Sequence, residues 1–264
     1  AAMVLSLAAC GGTTETETTD TEGSDSEGQT YTIGVIQQMQ HEALDAATQG
    51  FQDAVAELFG DQASVEVQNA SGEAANCSTI VGSFVSSGVD LIMANGTTAL
   101  QSAAAATTTI PILGTSITEY GVALGIDGFT GTTGMNVSGT SDLAPLDQQA
   151  AMLQEWFPDA KNVGLLYCSA EPNSLYQVET VQGYLEEMGY TCTPYSFSDS
   201  NDLSAVATNA CAQSDVLYIP TDNTAATNAE LIGNIAQSSA TPIIAGEEGI
   251  CSGCGVATLT ISYY

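Results

Sequence analysis

From Tyr31 to Ala245, short runs of β-branched and apolar residues alternate with longer stretches of helical period, and this alternation limits the fold more than any other feature. Thr32–Ile36, Val65–Val67, Asp90–Ala94 and Ile110–Leu113 read as strands, with helices over Glu42–Leu58, Glu73–Val85 and Ala99–Ala106 between or after them. In the first helix Leu44, Phe51, Val55 and Leu58 share one face. Residues 120–145 lose the pattern and are rich in Gly, Thr and Ser, which reads as a crossover. The alternation then restarts. Helices are expected over Gln148–Trp156, Ser174–Met188, Leu203–Ala212 and Ala225–Ser238, and strands over Val163–Tyr167, Cys192–Ser196, Val216–Ile219 and Pro242–Ala245. Two such arrays predict two α/β lobes with parallel sheets, residues 31–140 and 141–255, with 256–264 returning toward the first lobe.

Charge narrows the function. The 264 residues include 31 acidic side chains against one Lys or Arg (Lys161), a formal charge of −30. Nucleic-acid binding and attachment to anionic lipid by a basic patch both need clustered cations, so both are excluded. With 44% apolar residues the acidic excess does not imply disorder, because the chain can still bury a core beneath a self-repelling surface. No run approaches the roughly 20 apolar residues of a spanning helix. Seven cysteines are too few for a disulfide scaffold at this length.

Residues 1–9 (AAMVLSLAA) are apolar and end at Cys10, with Gly11 and Gly12 following. Small residues closing a short apolar run read as the tail of a secretory signal, here without its basic n-region or an initiator Met. Leu7-Ala8-Ala9-Cys10 resembles the lipobox of bacterial lipoproteins, which implies lipidation of Cys10. Residues 11–30 contain only Gly, Thr, Ser, Asp, Glu and Gln and read as a disordered spacer. The expected location is the outer face of the bacterial cytoplasmic membrane, where disulfides are permitted.

In parallel α/β sheets ligands bind beyond the carboxyl ends of the strands. Those ends carry Gln37–His41, Asn95–Thr98, Gly114–Ser116, Ser169–Ser174, Thr221–Asn223 and Gly246–Gly249. The candidate ligand-binding residues among and just beyond them are Gln38, His41, Thr97, Thr98, Thr115, Ser116, Tyr120, Asn173, Ser174, Asp222, Asn223 and Glu248. Hydroxyls and amides at helix N-termini suit a carboxylate, and Asp222 and Glu248 suit an ammonium, so the set fits a zwitterion. Tyr120, beyond the fourth strand, is a candidate for stacking on a ligand ring. Thr97, Ser174 and Thr221 also suit plain helix caps.

These blocks carry a resemblance. IGVIQQMQHEALDAATQGFQDAV, DLIMANGTTALQSAAAAT, PDAKNVGLLYCSAEPNS, VLYIPTDNT and PIIAGEEG resemble, in order and spacing, the substrate-binding lipoproteins of bacterial ABC importers, and within these the tryptophan/tyrosine-type family. His41, Leu44 and Asp45 match its HxxLD block, Asn173-Ser174 its ExNS turn, and Asp222-Asn223 its TDN block. Glu119-Tyr120 departs from the Asp-Pro usual there. The resemblance implies a two-lobed type I periplasmic-binding-protein fold without catalytic activity or cofactor. It also implies an amino-acid ligand, permease and ATPase partners, and a further helix and strand after Tyr264, so the C-terminal end reads as truncated.

Other chemistries fit less well. His41-Glu42 opens like a zinc-protease HExxH, but position 45 is Asp, and two ligands do not make a metal site. With a single His, any hydrolase triad has to be built around His41, and no GxSxG surrounds a serine. A secreted hydrolase, or a ligand-sensing lipoprotein partner of a membrane receptor, are the rival functions. Lys161 reads as a solvated surface residue. Cys251 and Cys254, read as following a strand, are the disulfide candidates, while Cys77, Cys168, Cys192 and Cys211 have no readable partners.

Overall fold

The computed structural model describes residues 30–264. The lipobox with Cys10 and all but the last residue of the spacer lie outside the described residues.

In the first lobe, β1 (Tyr31–Gln37), β2 (Ala63–Asn69), β3 (Leu91–Asn95), β4 (Ile112–Ile117) and β5 (Val137–Ser141) form one parallel sheet in the order β2-β1-β3-β4-β5. The helices α1 (Glu42–Phe59), α2 (Ala74–Ser87), α3 (Thr97–Ala106) and α4 (Tyr120–Leu124) connect the strands. Phe84 of α2 lies flat over Gly34 of β1, where an added Cβ would meet its ring at 2.7 Å. Ile36, Val81, Phe84, Leu100 and Ile112 centre the core on that face, while Ile33, Val35, Met93 and Val55 of α1 fill the other. Leu44 and Val55 are buried as the helical period predicts, but Leu58 is 76% exposed. The next residue, Phe59, takes the place beside Tyr31, Ile33 and Ala63 of the sheet instead.

The second lobe repeats the plan. β6 (Asn162–Cys168), β7 (Thr191–Phe197), β8 (Val216–Ile219), β9 (Ile243–Ala245) and β10 (Ala257–Thr258) form a parallel sheet in the order β10-β9-β8-β6-β7. Val178, Val181 and Leu185 of α6 (Pro172–Glu187) and Leu153 of α5 (Leu146–Trp156) cover one face. The other is covered by Leu203 of α7 (Ser200–Gln213), Ile232 of α9 (Ala229–Ser239) and Ile250 of α10 (Glu248–Cys254). The short α8 (Asn223–Thr227) precedes α9.

Several sequence expectations need correction. Residues 120–141 are not a crossover, because they supply α4 and β5 of the first sheet. The strand was invisible because its burial falls on Val137 alone. β4 continues through Thr115 and Ser116 to Ile117, so these two residues lie inside the strand. The helix expected over Ala225–Ser238 breaks at Asn228, where φ −113° and ψ 19° leave the helical region. Ala257–Thr258 pairs with β9 before the chain turns back, and Tyr263 and Tyr264 make the contacts with the first lobe. Cys251 and Cys254 close helix α10 instead of following a strand, and both are free thiols, as are Cys77, Cys168, Cys192 and Cys211. Among the described residues no helix is long and apolar enough to cross a membrane.

Candidate functional site

The carboxyl ends of both sheets face one another across a polar cavity of about 20 Å³. The first lobe lines it with His41, Ala43 and Leu44 at the start of α1, and with Ser116, Thr118 and Asp142 at the ends of β4 and β5. The second lobe contributes Asn173 from α6, Thr221–Asn223 after β8, Ala226 of α8 and Glu247 after β9. Tyr263 enters from the returning tail, its hydroxyl donating to Asp142 Oδ2 at 2.9 Å. Besides the hydrogen bonds of Tyr263 and Tyr264 in the tail to Asp142 and Asp53, three bridges cross directly between the lobes. His41 Nε2 lies 3.0 Å from Asn223 Oδ1, Thr227 Oγ1 lies 2.8 Å from Met39 Sδ, and Gln177 Nε2 reaches Thr118 Oγ1 at 3.5 Å.

Behind the second-lobe wall, Glu171 organises two loops. Its carboxylate accepts from Asn223 N (3.0 Å), Asn223 Nδ2 (2.6 Å), Thr224 N (2.9 Å), Thr224 Oγ1 (2.8 Å) and Asn173 Nδ2 (3.2 Å). Asp222 caps α8 through Ala225 N and also accepts from Cys168 N, tying the β8 loop to the end of β6. Burial, and secondarily the charge of Glu171, push the Asp222 carboxyl up to about 7. Burial likewise raises Asp142 and Glu247 above the usual carboxylate range. Glu247 caps α10 by accepting from Gly249 N and Ile250 N.

Three buried polar atoms on the cavity wall have no protein partner: Ser116 Oγ, Asp142 Oδ1 and Asn173 Oδ1. Buried polar groups are normally paired, so three orphans converging on one space form a built set of contacts for something that enters it. Ser116 also holds φ +55° at an irregularity in the β4–β5 register. Non-glycine residues seldom adopt that conformation, and here it turns the hydroxyl toward the cavity.

Five of the twelve residues singled out from sequence line this cavity: His41, Ser116, Asn173, Asp222 and Asn223. The others lie elsewhere for identifiable reasons. Gln38 folds inward and its Oε1 accepts from Thr98 N at 2.8 Å, so the N-terminus of α3, with buried Thr97, is already satisfied by the chain itself. Thr115 faces a separate groove beside Phe51 and Tyr264, because neighbouring strand residues point to opposite faces. Tyr120 is buried in the first lobe, stacked on Phe129, with its hydroxyl 3.0 Å from Gly114 O and 3.1 Å from Thr140 O. Ser174 sits fully buried behind the wall, its hydroxyl accepting from Asn173 Nδ2 at 3.3 Å. Glu248 is exposed at the first position of α10, and its neighbour Glu247, the cap, is the acid that faces the cavity. Asp45 accepts from Gln37 Nε2 and makes no pair with His41. Among the described residues no group of three His, Cys, Asp or Glu side chains is placed to hold a metal.

Sequence reasoning missed Thr118, Asp142 and Tyr263. Asp142 was within reach of the strand-end rule, since it follows β5 directly, but β5 itself carries no strand signal. Tyr263 has no sequence signal at all, lying 121 residues from the carboxylate it touches.

Comparison with known proteins agrees with this arrangement. The family described as ABC transporter substrate binding protein matches residues 32–264. A tyrosine-binding protein of Clostridioides difficile (strain R20291) is 33% identical over 234 residues, covering 88% of this chain and 68% of the relative. The crystal structure of an ABC domain in complex with L-Trp from Streptococcus pneumonia superposes with a TM-score of 0.85 at 30% identity, over 89% of this chain and 80% of that one. A ligand-free, open structure of a Clostridium difficile substrate binding protein with adhesive properties gives 0.60 at 33% identity, over 85% and 77%. The two-lobed α/β fold with two parallel five-stranded sheets is that of periplasmic binding proteins, and the family is one of non-catalytic transport receptors. With its two lobes meeting over a cavity of unpaired polar groups, this chain belongs to the ABC transporter substrate binding protein family and is the solute-binding protein of an ABC transporter.

Proposed function

We propose that this solute-binding protein captures an aromatic amino acid between its lobes and delivers it to an importer's permease. The observation that carries this reading is the convergence of Ser116 Oγ, Asp142 Oδ1 and Asn173 Oδ1, all buried and unpaired, on the interlobe cavity. The tyrosine and L-Trp named for two relatives support the aromatic class. His41, Asp222 and Asn223 complete the set, as neighbours of those atoms and partners in the bridges. About 20 Å³ holds roughly one water, so an amino acid enters only when the bridges from His41, Met39 and Thr118 open. A ligand that touches both lobes favours the closed arrangement over the open one, and this difference drives capture. The superposition is better on the L-Trp complex than on the open relative, which supports a closed arrangement here. We further propose that Cys10 carries a lipid anchor and that residues 11–30 tether the lobes to the outer face of the membrane.

The test is a thermal-shift screen against the common free amino acids and several sugars. A ligand at about 100 times its dissociation constant stabilises by roughly 2.7 kcal/mol. A shift with Trp, Tyr or Phe is the expected result. A shift with sugars alone, or only with small aliphatic amino acids, overturns the aromatic assignment.

A further inference from the structure

An asparagine side chain carries an acceptor and a donor of nearly the same size, and its partners decide which way each one points. Asn223 stands between Glu171 of its own lobe and His41 of the other. A carboxylate only accepts, so Asn223 turns Nδ2 to Glu171 Oε2 at 2.6 Å, and its backbone N–H gives to the same oxygen at 3.0 Å. Asn223 Oδ1 is thereby turned to the opposite lobe, 3.0 Å from His41 Nε2. An amide oxygen has no hydrogen to give. The bond therefore runs from His41 to Asn223, with the imidazole hydrogen on Nε2.

The same carboxylate acts on Asn173. Glu171 Oε2 and Thr221 O both take Asn173 Nδ2, at 3.2 and 3.1 Å, which leaves Asn173 Oδ1 on the cavity without a partner. Glu171 itself is 5% exposed and stands behind the wall, ahead of α6. Its second oxygen is filled by Thr224 N and Oγ1. His41 is free for its part, because it occupies the N-cap position of α1 yet its side chain caps no N–H there. A bond that forms only when the lobes meet adds to the closed arrangement and so to ligand retention.

We infer that Glu171 is a positioning residue of the ligand site: without touching the ligand it sets the direction of two asparagines, so that Asn223 receives His41 across the closed lobes and Asn173 offers its oxygen to the ligand. This deepens the proposed function, on which it rests for the cavity being the ligand site. Glutamine at 171 would not do the same. Donors arrive at both oxygens, so whichever way a glutamine amide turns, the backbone N–H of Asn223 or of Thr224 meets another donor and the grip on Asn223 loosens.

A double-mutant cycle tests it, because Glu171 and His41 lie in different lobes and Asn223 is the residue bonded to both. Titration calorimetry in about 0.5 M NaCl, where bare charge is screened within a few Å, compares the full chain, Glu171→Gln, His41→Ala and the double variant. The probes are L-tryptophan, L-tyrosine and L-phenylalanine. Each single change should weaken the tightest of the three by about tenfold or more, and the double should be at most about threefold weaker than the worse single. A purely structural role for Glu171 would make the two losses multiply. A smaller loss in either single, or a double weaker than that limit, overturns the inference and leaves the amino-acid receptor standing. If a different amino acid binds and these three do not, the aromatic reading falls and the same cycle with that amino acid decides the inference. No binding of any amino acid to folded parent protein overturns both. If Glu171→Gln fails to fold, the nitrogen-15 spectrum of the chain's one imidazole decides, recorded on the parent with its amino acid bound. A hydrogen on Nε2, protected from exchange, upholds the orientation, and a bare Nε2 with the hydrogen on Nδ1 overturns it.

Discussion

Replacing Gly139 by Ala tests the contact that fixes the edge of the first sheet and, through it, the position of Asp142. Gly139 lies in β5 opposite Gly114 of β4, with φ +150°. An added Cβ would stand 2.0 Å from Gly114 O, 2.7 Å from Gly114 N and 2.3 Å from Tyr120 Oη. Two of these three atoms are backbone and cannot swing aside. Restoring a C···O contact of about 3.3 Å requires β5 to retreat by more than 1 Å, which stretches the β4–β5 ladder and the paired Tyr120 hydroxyl. Overpacking of this kind costs about 1–3 kcal/mol and each hydrogen bond lost about 1. The expected total is about 3 kcal/mol, or roughly 6–12 °C in melting temperature for a protein of this size. Circular dichroism melts measure it, with Gly183→Ala as the control. Gly183 lies inside α6 with nothing within 4 Å of the new methyl, so that variant should gain about 0.5–1 kcal/mol. Asp142 follows Gly139 by three residues, so Gly139→Ala should also weaken ligand binding. A Gly139→Ala melt within 1 kcal/mol of the parent, or a control that falls with it, would refute the packing argument.

Ser116→Gly relieves φ +55° and removes an unpaired cavity hydroxyl, so stability should rise by about 1 kcal/mol while amino-acid affinity falls about tenfold. Melts and titrations read the two separately, and movement in the same direction would contradict the strain account. Asp222 titrates near 4 in an unfolded chain and up at about 7 in the fold, so the folded state holds a proton the unfolded state has released. Its contribution to stability is therefore present below pH 4 and lost as pH rises through 7. The drop in melting temperature across that window should be shallower in Asp222→Asn, and equal slopes would exclude this group as a source. At a formal charge of −30, melting temperature should rise between 0.01 and 1 M NaCl as the screening length shrinks from about 30 to about 3 Å. A flat profile would mean that the surface acids are too dispersed to repel.

Elements with a strong period were legible where the tertiary structure uses that period. α1 begins at Glu42, and β3, β6 and β8 fall where their apolar runs lie, because a strand covered on both faces has to be apolar throughout. β5 escaped for the opposite reason: as an edge strand it buries only Val137. The site was legible only as far as local spacing reaches. His41, Asn173 and Asp222-Asn223 stand at strand ends and reach the cavity. Thr97 and Thr98 also stand at a strand end, yet Gln38, about sixty residues earlier, closes that helix terminus, which no local pattern reveals. Glu247 and Glu248 are the same residue type side by side, and only helix geometry decides which one is the cap and which faces solvent.

The sequence by itself determined two parallel α/β lobes, an excess of acid that excludes polyanionic partners, and the loops from which a site could be drawn. These follow from residue type and period, which are properties of the chain read in order. The tertiary structure decided which polar atoms remain unpaired. Asp142 meets Tyr263 across 121 positions, and Ser116 turns into the cavity only where β4 and β5 fall out of register. Whether a buried oxygen has a partner depends on everything packed around it, and that is fixed only when the lobes meet.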